Sequence, residues 1–286
     1  MNFYAVIVIY NKYVGESISF RSLINLSLSN LHFLIIDNSS SEYICENKYM
    51  CDEMKIQYYS MDGNAGLSKA YNYALQILDK KNDDIVIWFD DDTHINRKYF
   101  DILSQYCSDK ELDVFAPIVY GQNGVIYSPC ERGLLKGRYI KNPNQLIKKD
   151  KFNAINSCLA VRLRVYKNYR YDEKLFMDCV DTKLFDDFRK MDLNFCVLPI
   201  EIHQNFFQRM KQQNIEKYWL RFKIRIKDTF IYYSHKGKIE RIAGSIKVIG
   251  WAIMYGFKLK SFTFFKNCIM WMLDCFMEIN RENYEG

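Results

Sequence analysis

The chain has 286 residues, 49% of them hydrophobic and 26% charged, a globular composition that excludes a disordered tail or a miniature disulfide scaffold and allows one large or two modest domains. Its net charge of +6 is unevenly held: residues 1–203 carry 25 Lys and Arg against 27 Asp and Glu, whereas residues 204–286 carry 15 against 7. An asymmetry of this kind points to a partner for the basic third.

In chain order, residues 4–9 are a continuous apolar run, which fits a strand buried on both faces of a parallel sheet. No basic segment precedes that run, so it reads as a first strand and not as a signal peptide. A polar turn follows at Asn11-Lys12, and residues 19–28 carry helical spacing. Residues 31–36 read as a second strand ending at Asp37-Asn38-Ser39-Ser40, and residues 55–59 as a third ending at Gly63-Asn64-Ala65-Gly66. Ser68 caps a helix over residues 69–78, and residues 85–89 form a fourth strand that ends in Asp90-Asp91-Asp92. This alternation predicts an α/β layered domain with a mainly parallel sheet, in which ligands bind outside the carboxyl ends of the strands.

Beyond Asp92 the pattern predicts a helix over 99–107, a strand over 114–120, a loop-rich stretch over 121–150, a strand over 154–161 and a helix over 181–190. A short strand over 195–199 delivers His203. From residue 206 the chain is aromatic and basic at helical spacing. Nine scattered cysteines with no Cys-x-x-Cys pair exclude a disulfide framework and a zinc ribbon, and predict a reducing, cytosolic compartment. The apolar stretches 242–257 and 262–277 are interrupted by Lys247, and by Lys266 and Asp274. Both fall short of the roughly 20 apolar residues of a bilayer crossing.

Three consecutive carboxylates after a buried strand repel one another, so a divalent cation is their natural compensation, with a solvated acidic turn as the alternative. Hard oxygen ligands suit Mg²⁺ or Mn²⁺, completed by substrate phosphates. Asp37 could accept from a base N–H or a ribose hydroxyl, or simply cap the following turn. Gly63-Asn64-Ala65-Gly66 lets backbone amides approach a diphosphate or a sugar, although it is neither a Rossmann nor a Walker fingerprint. A carboxylate in the segment 175–183 could act as a general base, and His203 could complete a metal site; an N-cap Asp and a surface His are the plainer readings.

The order of these clusters resembles the inverting glycosyltransferases of family 2, with the GT-A fold, in the branch that uses rhamnosyl and galactofuranosyl donors. The first strand with its Tyr-Asn, the Asp37-Asn38-Ser39-Ser40 motif, the Gly63–Leu67 block with Ala70 and Asn72, and Phe89–Thr93 resemble the donor side. The segment from Tyr171 to Thr182 resembles the acceptor side, and Leu198-Pro199 followed by His203 resembles the metal-binding His block. The likeness covers residues 3–205 and fades beyond. Three departures stand out: Lys183 replaces an acidic residue, and Cys158 and Asp192 replace glycines.

The resemblance implies a GT-A nucleotide-diphospho-sugar transferase over residues 1–205, with a nucleotide-sugar half at 1–95 and an acceptor-side half at 96–205. Residues 206–286 are then a basic helical extension, facing a membrane surface or forming a dimer. It implies that Tyr10, Asp37, Asn64, Gly66, Asn72, Asp90 and Asp91 bind the donor. Asp92 and His203, with Asp90 as a further candidate, hold Mn²⁺ or Mg²⁺. Asp181 is the general base, with Asp178 as its rival. The donor is UDP- or dTDP-linked, and the acceptor is a growing cell-surface polysaccharide or a lipid-diphosphate-linked oligosaccharide. The place implied is the inner face of a bacterial cell membrane. A nucleotidyltransferase and a non-catalytic membrane scaffold are the alternatives; nucleic acid is not an expected partner, since no nucleic-acid motif is present and the acidic clusters oppose it.

Overall fold

The computed structural model describes residues 1–78, 84–135, 137–206 and 215–285. The first half runs β1 (Phe3–Ile9), α1 (Ile18–Ile24), β2 (Leu31–Asp37), α2 (Ser41–Glu53), β3 (Gln57–Ser60), α3 (Leu67–Ile77), β4 (Ile85–Phe89) and α4 (Arg97–Tyr106). The second runs β5 (Val114–Gly121), β6 (Ile126–Ser128), β7 (Cys130–Glu131), β8 (Arg138–Tyr139), β9 (Phe152–Asn153), β10 (Leu159–Arg162), α5 (Val180–Lys190) and β11 (Phe195–Gln204). Three helices close the chain: α6 (Ile215–Ser234), α7 (Lys238–Lys258) and α8 (Phe262–Glu285).

The main sheet has the order β11-β5-β10-β4-β1-β2-β3, with β6 added on β5. Pairs β1/β2, β1/β4, β2/β3 and β5/β11 are parallel, and β10 runs antiparallel between β4 and β5. The apolar runs explain the central position of β4, which is buried at all five residues. One face of the sheet, with Val6, Ile36 and Trp88, packs on α3 and α5 through Ala70, Ala74 and Phe185. The other, with Ala5, Ile7 and Phe89, packs on α1 and α4 through Phe20 and Phe100.

Helix α2 was not legible in the sequence, because only Asn47 and Cys51 of its 13 residues are buried and no apolar stripe marks it. The strand expected over 154–161 begins only at Leu159. Cys158 has φ +58°, a left-handed conformation that ends an extended run, so residues 154–156 are irregular and Ser157-Cys158 form a turn before the strand. The strand expected over 195–199 continues to Gln204.

Helix α6 roots the basic third in the α/β layer. Ile231, Tyr232 and Tyr233 belong to the core under α3 and α5. Tyr232 also donates to the buried Asp186 of α5 at 2.5 Å, a carboxylate that further pairs with Arg132, Arg189 and Lys236. A separate apolar cluster around Phe222, Val248 and Cys268 holds α6, α7 and α8 together. No helix among the described residues is long and apolar enough to cross a membrane.

Candidate active site

Because β1 pairs with β2 on one side and β4 on the other, their carboxyl ends open a crevice at a topological switch point. A cavity of ≈ 580 Å³ lies there. Tyr10, just past β1, and Asp90, Asp91 and Asp92, just past β4, line one side of it; Asn156, Ser157, Asp178, Asp181, Gln204 and Arg221 line the rest.

Asp90 receives the Nε2 of Gln204 at 2.7 Å, and the same nitrogen is 3.5 Å from Asp92 Oδ1. Burial pushes the Asp90 carboxyl up to about 6; the Gln204 hydrogen bond opposes this and the charge of Asp92 adds to it. Burial, then the charge of Asp91, also raises Asp92. Asp91 turns aside and pairs with Lys12 at 2.5 Å. Its backbone carbonyl accepts from the N–H of Ile18 and from Ser17 Oγ, which fixes the acidic turn against α1.

Across the cavity, Asp181 sits in the first turn of α5. Burial, followed by the charge of Asp90, pushes its carboxyl up to about 7. Asp178, three residues earlier, is paired with Arg221 and, at 3.9 Å, with Arg225, both on α6. The loop between them and α3 is held by Asp228, whose buried carboxylate accepts from the backbone N–H groups of Phe176, Met177 and Asp178 at 3.0, 2.7 and 2.7 Å. The carbonyl of Phe176 in turn accepts from Leu67 N at 2.6 Å.

The profile of glycosyl transferase family 2 matches residues 4–170, more than half of the 286. The chain belongs to this family. Among its relatives, the dTDP-rhamnosyl transferase RfbF of Shigella flexneri is 27% identical over 188 residues. That match covers 64% of the family 2 chain and 61% of RfbF, so the chain spans less than two thirds of this relative's length. TarS from S. aureus (residues 1–349) superposes with a TM-score of 0.54 at 16% identity, covering 97% of this chain and 80% of that one. GalNAc-T7, solved with UDP, GalNAc and Mn²⁺, superposes with a TM-score of 0.56 at 14% identity, covering 72% of this chain and 44% of that one. At these identities the likeness shows the GT-A fold.

Several residues that the family pattern singled out lie elsewhere than expected. His203 does not reach the acidic cluster: it is exposed and stacks on Tyr120 at 5.4 Å. Side chains alternate along a strand, and Leu198, Ile200, Ile202 and Gln204 form the buried set of β11, so Gln204 occupies the inward position. Asp37 lies beneath the cavity and not on its wall. It is fully enclosed, accepting from Ser39 N, Asn47 Nδ2 and Tyr58 OH at 2.7–2.8 Å, so it supports the turn after β2.

Asn72 is also structural in its contacts. Its amide exchanges hydrogen bonds with the backbone of Tyr171 and reaches Glu173, tying α3 to the acceptor-side segment. Asn64 is exposed and accepts from Gly66 N. Gly66 has φ +90°, and a Cβ there would lie 2.8 Å from Phe176 O, so its lack of a side chain lets the two segments touch. Of the residues expected at the site, the cavity brings together Tyr10, Asp90, Asp91, Asp92, Asp178 and Asp181.

The departures from the family pattern have structural consequences. Cys158 and Asp192, where the resemblance led to an expectation of glycine, both adopt left-handed backbone, φ +58° and +56°. Lys183 pairs with Asp187 one turn along α5.

Among the described residues no group of three or more His, Cys, Asp and Glu side chains is disposed as a metal site. The donor set present still fits a hard cation. Asp90 and Asp92 are carboxylates raised by burial, and Gln204 Oε1 is a buried acceptor with no hydrogen-bond partner. Mg²⁺ commonly takes one or two carboxylates and leaves its other positions to water and phosphate. Gln204 and Asp228 were not singled out from the sequence. The alternation Ile200, Ile202, Gln204 carried the signal for the first; no local pattern marked the second.

Proposed function

We propose that this protein is an inverting glycosyltransferase, moving a sugar from a nucleoside-diphosphate donor to a hydroxyl of a saccharide acceptor, with Asp181 as general base. The observation that carries the proposal is that Asp181 and Asp90 line the same cavity, where burial and then the charge of Asp90 push Asp181 up to about 7. A base works best when its pKa lies near the operating pH. Asp178, compensated by Arg221 and Arg225, is the weaker candidate.

In the proposed reaction Asp181 accepts the proton of the acceptor hydroxyl. The hydroxyl oxygen attacks the anomeric carbon as the bond from that carbon to the diphosphate oxygen breaks on the opposite face. A single displacement inverts the anomeric centre. A divalent ion, Mg²⁺ or Mn²⁺, held by Asp92, Asp90 and Gln204 Oε1, would neutralise charge on the departing nucleoside diphosphate. Asn156 Oδ1, buried without a hydrogen-bond partner on the cavity wall, is suited to accept from a sugar hydroxyl.

The donor we propose is a dTDP- or UDP-linked rhamnose, galactofuranose or similar sugar; the name of the relative, dTDP-rhamnosyl transferase RfbF, supports dTDP-linked rhamnose among these. The acceptor we propose is a growing cell-surface polysaccharide, such as a capsule, or a lipid-diphosphate-linked oligosaccharide, reached from the inner face of a bacterial cell membrane. The test is a panel of UDP- and dTDP-sugars with Mn²⁺ or Mg²⁺, read as release of nucleoside diphosphate, with the anomer of the product assigned by NMR. Turnover of one donor with inversion is expected; no turnover and no binding of any nucleoside diphosphate would overturn the reading.

A further inference from the structure

Helix α7 is apolar on two opposite faces. One, with Ala243, Gly244, Val248, Ala252 and Tyr255, packs against α6 and α8; a Cβ on Gly244 would meet Tyr233 at 2.6 Å. The other carries Ile239, Ile242, Ile246, Ile249, Ile253 and Phe257, and these are 75, 61, 55, 37, 45 and 80% exposed. Their spacing of three and four residues sets them in one stripe, about 27 Å long at 1.5 Å per residue. Monomeric soluble proteins rarely leave so continuous an apolar surface in water.

No charge interrupts the stripe. Lys247 is turned inward over the ring of Trp251 at 5.1 Å, and Glu240, the acidic residue of α7, is paired with Arg132 at 3.2 Å. The rims are cationic: Lys238 and Arg241 at one end, Lys258 and Lys260 at the other. At that second end Phe257 and the 78% exposed Phe262 border an apolar groove of ≈ 420 Å³ at the turn into α8.

We propose that α7 lies lengthwise in the headgroup layer of an anionic lipid membrane, its isoleucine stripe and the Phe257–Phe262 turn among the acyl chains and its lysine and arginine rims on the phosphates. An apolar face with basic flanks is the architecture of an interfacial helix, and none of the described helices is long and apolar enough to span. Charge decides against a second copy of the chain. Two copies paired along this stripe, in either direction, set basic ends against basic ends, and Glu240, the one acidic residue of α7, is already engaged by Arg132. The inference deepens the membrane location proposed above by naming the surface, and it is read without donor or acceptor, so its failure is separate from a failure of glycosyl transfer.

The experiment is flotation of the full chain with phosphatidylcholine vesicles, with and without phosphatidylglycerol. Binding is expected to the anionic vesicles and to weaken with salt. The exposed pair Ile246→Glu and Ile253→Glu, checked for unaltered circular dichroism, is expected to lower partitioning by about tenfold or more. In a separate variant, Phe257→Trp, the introduced indole should be quenched by brominated lipid. Absence of wild-type binding, unchanged partitioning of the glutamate variant, or indole fluorescence in the Phe257→Trp variant that brominated lipid leaves untouched would each overturn the proposal. So would a concentration-dependent dimer, seen by sedimentation velocity, that the glutamate variant dissociates while vesicles bind neither protein.

Discussion

Gln204 Nε2 lies 2.7 Å from Asp90 Oδ2, joining the last residue of β11 to the first residue beyond β4 across β5 and β10, which lie between them in the sheet. The same amide leaves Oε1 buried and without a partner. Gln204→Ala is expected to weaken Mn²⁺ binding in the presence of a nucleoside diphosphate by about tenfold, a typical cost of losing a group that holds or orients a metal site. His203→Ala, at an exposed side chain stacked on Tyr120, is expected to leave it unchanged. Calorimetric titration of the two variants checks both, and EDTA should abolish turnover until Mn²⁺ or Mg²⁺ is restored.

With Asp181 as the proposed base, its raised carboxyl is expected to set the pH dependence. Its pKa of about 7 means that the base is protonated in acid, so kcat/KM should rise through pH 7 and level off above it. Asp181→Asn should lower kcat by about 10²–10⁴-fold while donor KM changes little, and Asp178→Asn should keep the rise with pH. Retention of turnover by Asp181→Asn with its loss in Asp178→Asn would move the base to Asp178.

The same shift acts on stability. A carboxyl whose folded pKa is raised binds more protons folded than unfolded, so its contribution is present in acid and is lost as pH rises from the usual carboxylate range to about 7. Asp181→Asn, which carries no charge, should therefore melt at a higher temperature than wild type at pH 8 and show little gain at pH 4. Scanning calorimetry at the two values tests this.

Asp228 holds the loop that leads to both candidate bases. Replacing it by Ala leaves three half-buried N–H groups without their acceptor, and is expected to cost about 1–3 kcal/mol of stability. In the protein that still folds at low temperature, kcat should fall more than donor KM rises, because the displaced loop carries Asp178 and leads directly into Asp181 in the first turn of α5. Asp228→Asn, which keeps one acceptor, should restore part of both. Urea unfolding and steady-state kinetics of the two variants give the comparison.

Gly66→Ala meets both strained backbone and a contact of 2.8 Å to Phe176 O, and is expected to destabilise by more than about 1 kcal/mol. Gly63→Ala, at φ +126° with nothing within 4 Å, bears the backbone strain alone and should cost less. Denaturant midpoints of the pair separate contact from conformation.

Much of the layering of the first half was legible in the sequence. Four apolar runs and the polar clusters that end them follow from the need to bury strands and to place ligand-binding residues at strand ends, and both are local properties of the chain. Helix α2 escaped because a helix with two buried residues leaves no periodic stripe. Cys158 hid a turn because a left-handed residue is readable only when it is Gly or Asn. Asp37 offered two readings at the sequence level, and the closeness of Asn47 and Tyr58, 10 and 21 residues away, decided that its oxygens face inward.

The sequence by itself determined the layered α/β class, the order of the acidic and glycine clusters, and the basic, aromatic character of the last third, since all of these are written in composition and spacing. Only the tertiary structure decided which side chains meet. The alternation of β11 turns Gln204 and not His203 toward Asp90. The descent of α6 into the core brings Asp228 and Arg221 to a loop some 50 residues earlier. The exposed stripe of α7 exists because its opposite face is already taken by α6 and α8. Contacts between segments distant in sequence depend on packing that no single segment encodes, and the pocket of a protein like this one is built almost entirely from such contacts.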